Sequence, residues 1–75
     1  MRKDKFLIDL GKRIRKKRME RNMSQIELAS ACNFEKASMS RIESGQINTT
    51  ILTLLKISNA LNIHISDLLI DPGTK

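Results

Sequence analysis

The chain has 75 residues, 40% of them apolar, and a formal charge of +6 from 14 Lys and Arg against 8 Asp and Glu. That length allows one domain at most, expected to span 1–75 with its core over about 5–70, and it excludes a two-domain regulator or a large catalytic scaffold. A domain this small buries only about 60% of the surface its unfolded chain exposes, so stability should be modest and a partner subunit would help. Charge is unevenly distributed, with ten basic and three acidic residues in 1–21 against four and five in 22–75. A basic end on a near-neutral body suits a polyanionic partner such as nucleic acid or anionic lipid. The single cysteine, Cys32, rules out an internal disulfide, and with the single histidine, His64, it leaves too few N and S ligands for structural zinc. A reducing cytoplasm is the expected compartment. The apolar piece Phe6-Leu7-Ile8 ends at Asp9, too short for a signal peptide, and no run approaches a membrane span.

In chain order the spacing of apolar residues is helical throughout, so the fold class is all-α with about five short helices. The first helix, about 4–21, carries Leu7, Leu10 and Ile14 inward and stops at Asn22, which tolerates the left-handed backbone that ends helices. Ser24-Gln25-Ile26-Glu27 is a capping box and opens the second helix. That helix places Leu28, Ala29 and Cys32 on one side and halts at Asn33. After two or three residues the third helix, about 35–44, runs to Gly45. Its Met39 and Ile42 face inward, while Lys36, Ala37, Ser40, Arg41 and Ser44 share the opposite face by i, i+4 spacing. Residues 46–49 form a loop. The fourth helix, about 50–61, shows apolar recurrence at Ile51, Leu54, Leu55 and Leu61 and stops at Asn62; the fifth covers about 65–70, and Asp71-Pro72-Gly73 ends the order. Two short helices joined by a tight turn, the second with a polar face of groove width, meet the physical specification of a helix-turn-helix.

The runs Leu10-Gly11-Lys12-Arg13-Ile14-Arg15-Lys16-Lys17-Arg18, Met23-Ser24-Gln25-Ile26-Glu27-Leu28-Ala29, Met39-Ser40-Arg41-Ile42-Glu43-Ser44-Gly45 and Ala60-Leu61-Asn62-Ile63 together resemble the XRE family, the Cro and phage-repressor-like helix-turn-helix proteins. The resemblance covers about residues 8–70 and implies a five-helix, lambda-repressor-like domain. It implies that Gln25 donates to a DNA phosphate and that the third helix lies in the major groove. Lys36, Ala37 and Arg41 then read base edges. Ser24, Ser38, Ser40, Gln46 and Asn48 fall at flanking or phosphate-contacting positions. The resemblance also implies a structural ion pair between Arg18 and Glu43. Glu35 departs from the family's Ser or Thr at the cap of the third helix: its charge suits the helix dipole, Glu caps poorly, and its carboxylate would sit near phosphates or accept from a cytosine amino group. The stretch Asn48-Thr49-Thr50-Ile51 resembles the controller proteins of restriction-modification systems.

Six of the seven residues from Lys12 to Arg18 are cations spread round the helix. Some of Lys12, Arg13, Lys16 and Lys17 are expected to assist DNA binding by counterion release, Lys17 foremost. Leu52, at a position the family usually makes polar, is expected with Leu69 and Ile70 to form a dimer seam. The expected activity is that of a homodimeric, sequence-specific duplex-DNA-binding regulator on a palindromic operator, a repressor or controller, with no enzymatic activity, cofactor, small-molecule ligand or membrane partner. The alternative is an antitoxin or another protein-interaction module that also binds DNA.

Overall fold

Four of the five helix starts and stops are written in side chains that satisfy orphaned backbone groups. The computed structural model describes residues 4–70, with α1 at Lys5–Glu20, α2 at Gln25–Ala31, α3 at Lys36–Glu43, α4 at Ile51–Leu61 and α5 at Ser66–Leu69. The expected end at Asp71-Pro72-Gly73 lies outside the described residues. Asp4 caps α1 by accepting from the amide of Phe6 at 2.8 Å. Ser24 and Glu27 complete the capping box at 3.0 and 2.7 Å, and Thr50 caps α4 by accepting from the amide of Thr53 at 3.1 Å. Each such cap is worth about 1 kcal/mol.

The stops share one geometry. Asn22, Asn33 and Asn62 adopt φ of 56°, 60° and 58°, and Gly45 adopts 74°. After each, the next amide reaches back five residues: Met23 to the Arg18 carbonyl, Phe34 to Ala29, Gln46 to Arg41 and Ile63 to Ser58, at 2.8–3.2 Å. These are Schellman closures, and Met23, Phe34 and Ile63 turn their apolar side chains onto the core, as the motif favours. A chain with three glycines thus makes four left-handed stops by spending only one of them.

The core joins Leu10 and Ile14 of α1, Leu28, Ala29 and Cys32 of the α2 region, Met39 and Ile42 of α3, Leu54, Ile57 and Leu61 of α4, and Leu68 of α5. Full burial of each large aliphatic side chain contributes about 1.5–3 kcal/mol. α1 lies directly on the end of α3. An ideal Cβ on Gly11 would overlap the Glu43 carbonyl oxygen, and one on Gly45 would stand 2.7 Å from the Ile8 Cα. The role of both glycines is close backbone approach.

Two expectations need correcting. Ile51 and Leu55 of α4, counted with the helical stripe, are 61% and 41% exposed; the buried stripe runs through Leu54, Ile57 and Leu61. Arg13 turns away from solvent: its Nε donates to the Leu68 carbonyl at 2.7 Å and its Nη2 to the Leu69 carbonyl at 3.4 Å. α5 has a single turn and no side-chain cap at its start, so this guanidinium, favourable at a helix C-terminus, helps hold it in place.

Candidate nucleic-acid interface

The capping box and the Asn33 stop set α2 and α3 at a tight turn, and the core residues Leu28, Ala29, Met39 and Ile42 lock them together. With Met39, Ile42 and Glu43 buried, α3 leaves Lys36, Ala37, Arg41 and Ser44 exposed and Ser38 and Ser40 half-buried. The outward strip is therefore small and polar with two cations, as the spacing predicted.

A buried polar cluster ties that strip to the start of α2. Arg18 donates from Nε to Glu43 Oε2 at 2.7 Å and from Nη2 to Oε1 at 3.1 Å, a bidentate pair. Its Nη1 donates to the Met23 carbonyl at 2.8 Å. Gln25 Nε2 donates to the same Glu43 Oε1 at 3.0 Å. The Arg18–Glu43 pair thus stands where the sequence placed it. The Gln25 bond was not anticipated, because residues 18 positions apart reveal no contact until the helices are packed. Its consequence is orientation: a carboxylate only accepts, so Glu43 holds the amide NH2 inward on one N–H and leaves the second free.

Gln25 consequently sits beside the last turn of α3, from which the 46–49 loop departs. Ser24, Gln46 and Asn48 are exposed. The Ser24 oxygen already accepts from Glu27, so its hydroxyl proton is available to an anion. Lys17 is half-buried, with Nζ 3.9 Å from Glu20 Oε1. Glu35 occupies the cap position of α3 with extended backbone, φ −77° and ψ 151°, yet makes no side-chain cap bond. Leu52 and Ile70 are both 63% exposed, while Leu69 is half-buried against the core.

The thiol of Cys32 is buried, and burial pushes its pKa up, the opposite of an activated nucleophile. His64 is exposed, before α5. Among the described residues no cluster of three or more His, Cys, Asp or Glu is placed to hold a metal, and no helix is long and apolar enough to cross a membrane.

Residues 14–68 match the helix-turn-helix family model. The chain is 38% identical over 60 residues to the control protein C.BamHI of Bacillus amyloliquefaciens, covering 79% of this chain and 74% of that protein. It is 33% identical over 57 residues to the immunity repressor protein of Bacillus phage phi105, covering 76% of this chain and only 40% of the repressor. Among solved structures, the restriction-modification controller C.AhdI from Aeromonas hydrophila superposes with a TM-score of 0.81 at 31% identity, over 83% of this chain and 94% of that one. The biofilm regulator SinR, solved in complex with DNA, superposes at 0.76 and 35% identity, over 81% and 98%. Motif, geometry and these matches agree: the chain belongs to the helix-turn-helix family of DNA-binding transcription regulators, among phage-repressor and restriction-modification-controller relatives.

Proposed function

We propose that the protein is a cytoplasmic, homodimeric regulator that binds a palindromic duplex operator, with α3 in the major groove. The observation carrying this reading is the α3 face itself: Lys36, Ala37 and Arg41 stand exposed on one side of a helix whose other side is locked into the core. Arg41 offers a planar fork for guanine O6 and N7, and Lys36 a cation. Gln25, Ser24, Gln46, Asn48 and Lys17 supply phosphate contacts, with Ser38 and Ser40 flanking the reading face. C.BamHI and C.AhdI, a control and a controller protein by name, support a repressor or controller role, and SinR bound to DNA supports the docking mode.

Ile51, Leu52, Leu55 and Ile70 support a dimer: four large apolar side chains exposed on α4 and just after α5, where a second copy would cover them. Leu69 contributes from beneath. Two-fold symmetry brings two α3 helices one DNA turn, about 34 Å, apart.

Selection from a random duplex library, followed by affinity measurements across a salt series, tests the reading. An inverted repeat should emerge, with log K falling against log salt at a slope near about −7 if the dimer makes about eight phosphate contacts. Leu52→Asp should sediment as a monomer and lose operator affinity. Arg41→Ala should relax selectivity at one position per half-site, whereas Lys17→Ala should weaken all duplexes alike. Selection that enriches no duplex overturns the proposal.

A further inference from the structure

We propose that Glu35 is a base-selecting residue that specifies cytosine in each half-site, an inference resting on the α3 docking proposed above. Three observations converge on it. The first is position: Glu35 immediately precedes Lys36 at the start of α3, and it is the N-terminal residues of a recognition helix that meet base edges.

The second is freedom. Asp4, Ser24 and Thr50 each cap their helices with a side-chain oxygen, whereas the Glu35 carboxylate accepts no cap bond. Among the described residues no cation lies within ion-pair distance of it either, since the three pairs present are Lys5–Asp9, Lys17–Glu20 and Arg18–Glu43. Glu35 is exposed and borders an open hollow lined by Ile26, Ser30, Asn33 and Phe34. Nothing in the fold uses its charge.

The third is chemistry. A carboxylate at this edge is repelled by phosphates, so it lowers DNA affinity unless a base donor meets it. The major groove offers donors only from cytosine N4 and adenine N6. Adenine carries its N7 acceptor beside N6, which would face the second carboxylate oxygen, and guanine presents acceptors alone. Cytosine is the base that rewards a carboxylate and penalises none of its lone pairs. The same anion acts against the other three, so Glu35 works by rejection as much as by attraction.

The test uses the full chain and an operator obtained by selection, with every single-base variant of one half-site applied symmetrically to both. Wild type should prefer cytosine at one position by about 5- to 150-fold over the other bases. Glu35→Ala should abolish that preference while raising affinity for the three non-cytosine variants. Glu35→Gln should move the preference towards adenine, whose N6 and N7 suit an amide. Melting curves of both variants should match wild type, because the exposed side chain makes no hydrogen bond that is lost. A uniform rise in affinity across all variants would show a repulsive surface charge and overturn the inference, as would unchanged preferences. Failure of wild type to select any duplex would instead strike at the docking reading itself; selection of an operator with no Glu35-dependent cytosine position strikes at Glu35 alone.

Discussion

Gly11→Ala tests the packing of α1 on α3, because structure and local propensity predict opposite signs. Alanine in place of glycine inside a helix stabilises by about 1 kcal/mol when nothing opposes it. Here the added Cβ would overlap the carbonyl oxygen of Glu43 and stand 2.7 Å from both the Glu43 carbonyl carbon and the Ile42 carbonyl oxygen. All three are backbone atoms in the last turn of α3, which the Arg18–Glu43 pair also holds, so no side chain can swing aside and the helices must part. Overpacking of this kind costs about 1–3 kcal/mol, and the rigidity of the contacted atoms places it at the upper end. After the propensity gain, a net loss of about 2 kcal/mol remains, or a fall in Tm of about 8–16 °C for a domain this size. Thermal melting by circular dichroism reads it directly. An equal or higher Tm for Gly11→Ala would refute the close approach of α1 to α3, and with it the placement of Glu43 beside Arg18.

Glu43→Gln should cost about 3–5 kcal/mol in urea unfolding, because the side chains of Arg18 and Glu43 are 10% and 3% exposed and a lone buried guanidinium is left behind. The double variant Arg18→Met/Glu43→Leu should recover most of that loss; a cost below about 1 kcal/mol for the single change would mean the pair is effectively solvated. Arg13→Met should lower stability by about 1.5–3 kcal/mol through loss of its bond to the Leu68 carbonyl, while leaving the salt slope of DNA binding unchanged. A slope reduced by about one unit with no change in Tm would return Arg13 to the phosphate contacts.

What the sequence determined by itself was local. The capping box at Ser24 and Glu27 and the left-handed stops at Asn22, Asn33, Gly45 and Asn62 each depend on residues within one helical turn, so spacing alone exposes them. The inward and outward faces of α3 followed from the 3.6-residue period, and the Arg18–Glu43 pair from resemblance of the whole pattern. What only the tertiary structure decided depends on which helix ends meet. Arg13 looked like one more cation in a basic run, yet its guanidinium serves the Leu68 carbonyl 55 residues away. Gln25 acquired a fixed amide orientation from Glu43, and Gly11 a reason to lack a side chain from the backbone of the same residue. Ile51 and Leu55 fit an apolar stripe in sequence but face solvent, because the one-turn α5 leaves that side of α4 uncovered. In each case the deciding partner is distant along the chain, and periodicity records which face a residue occupies without recording what that face will touch.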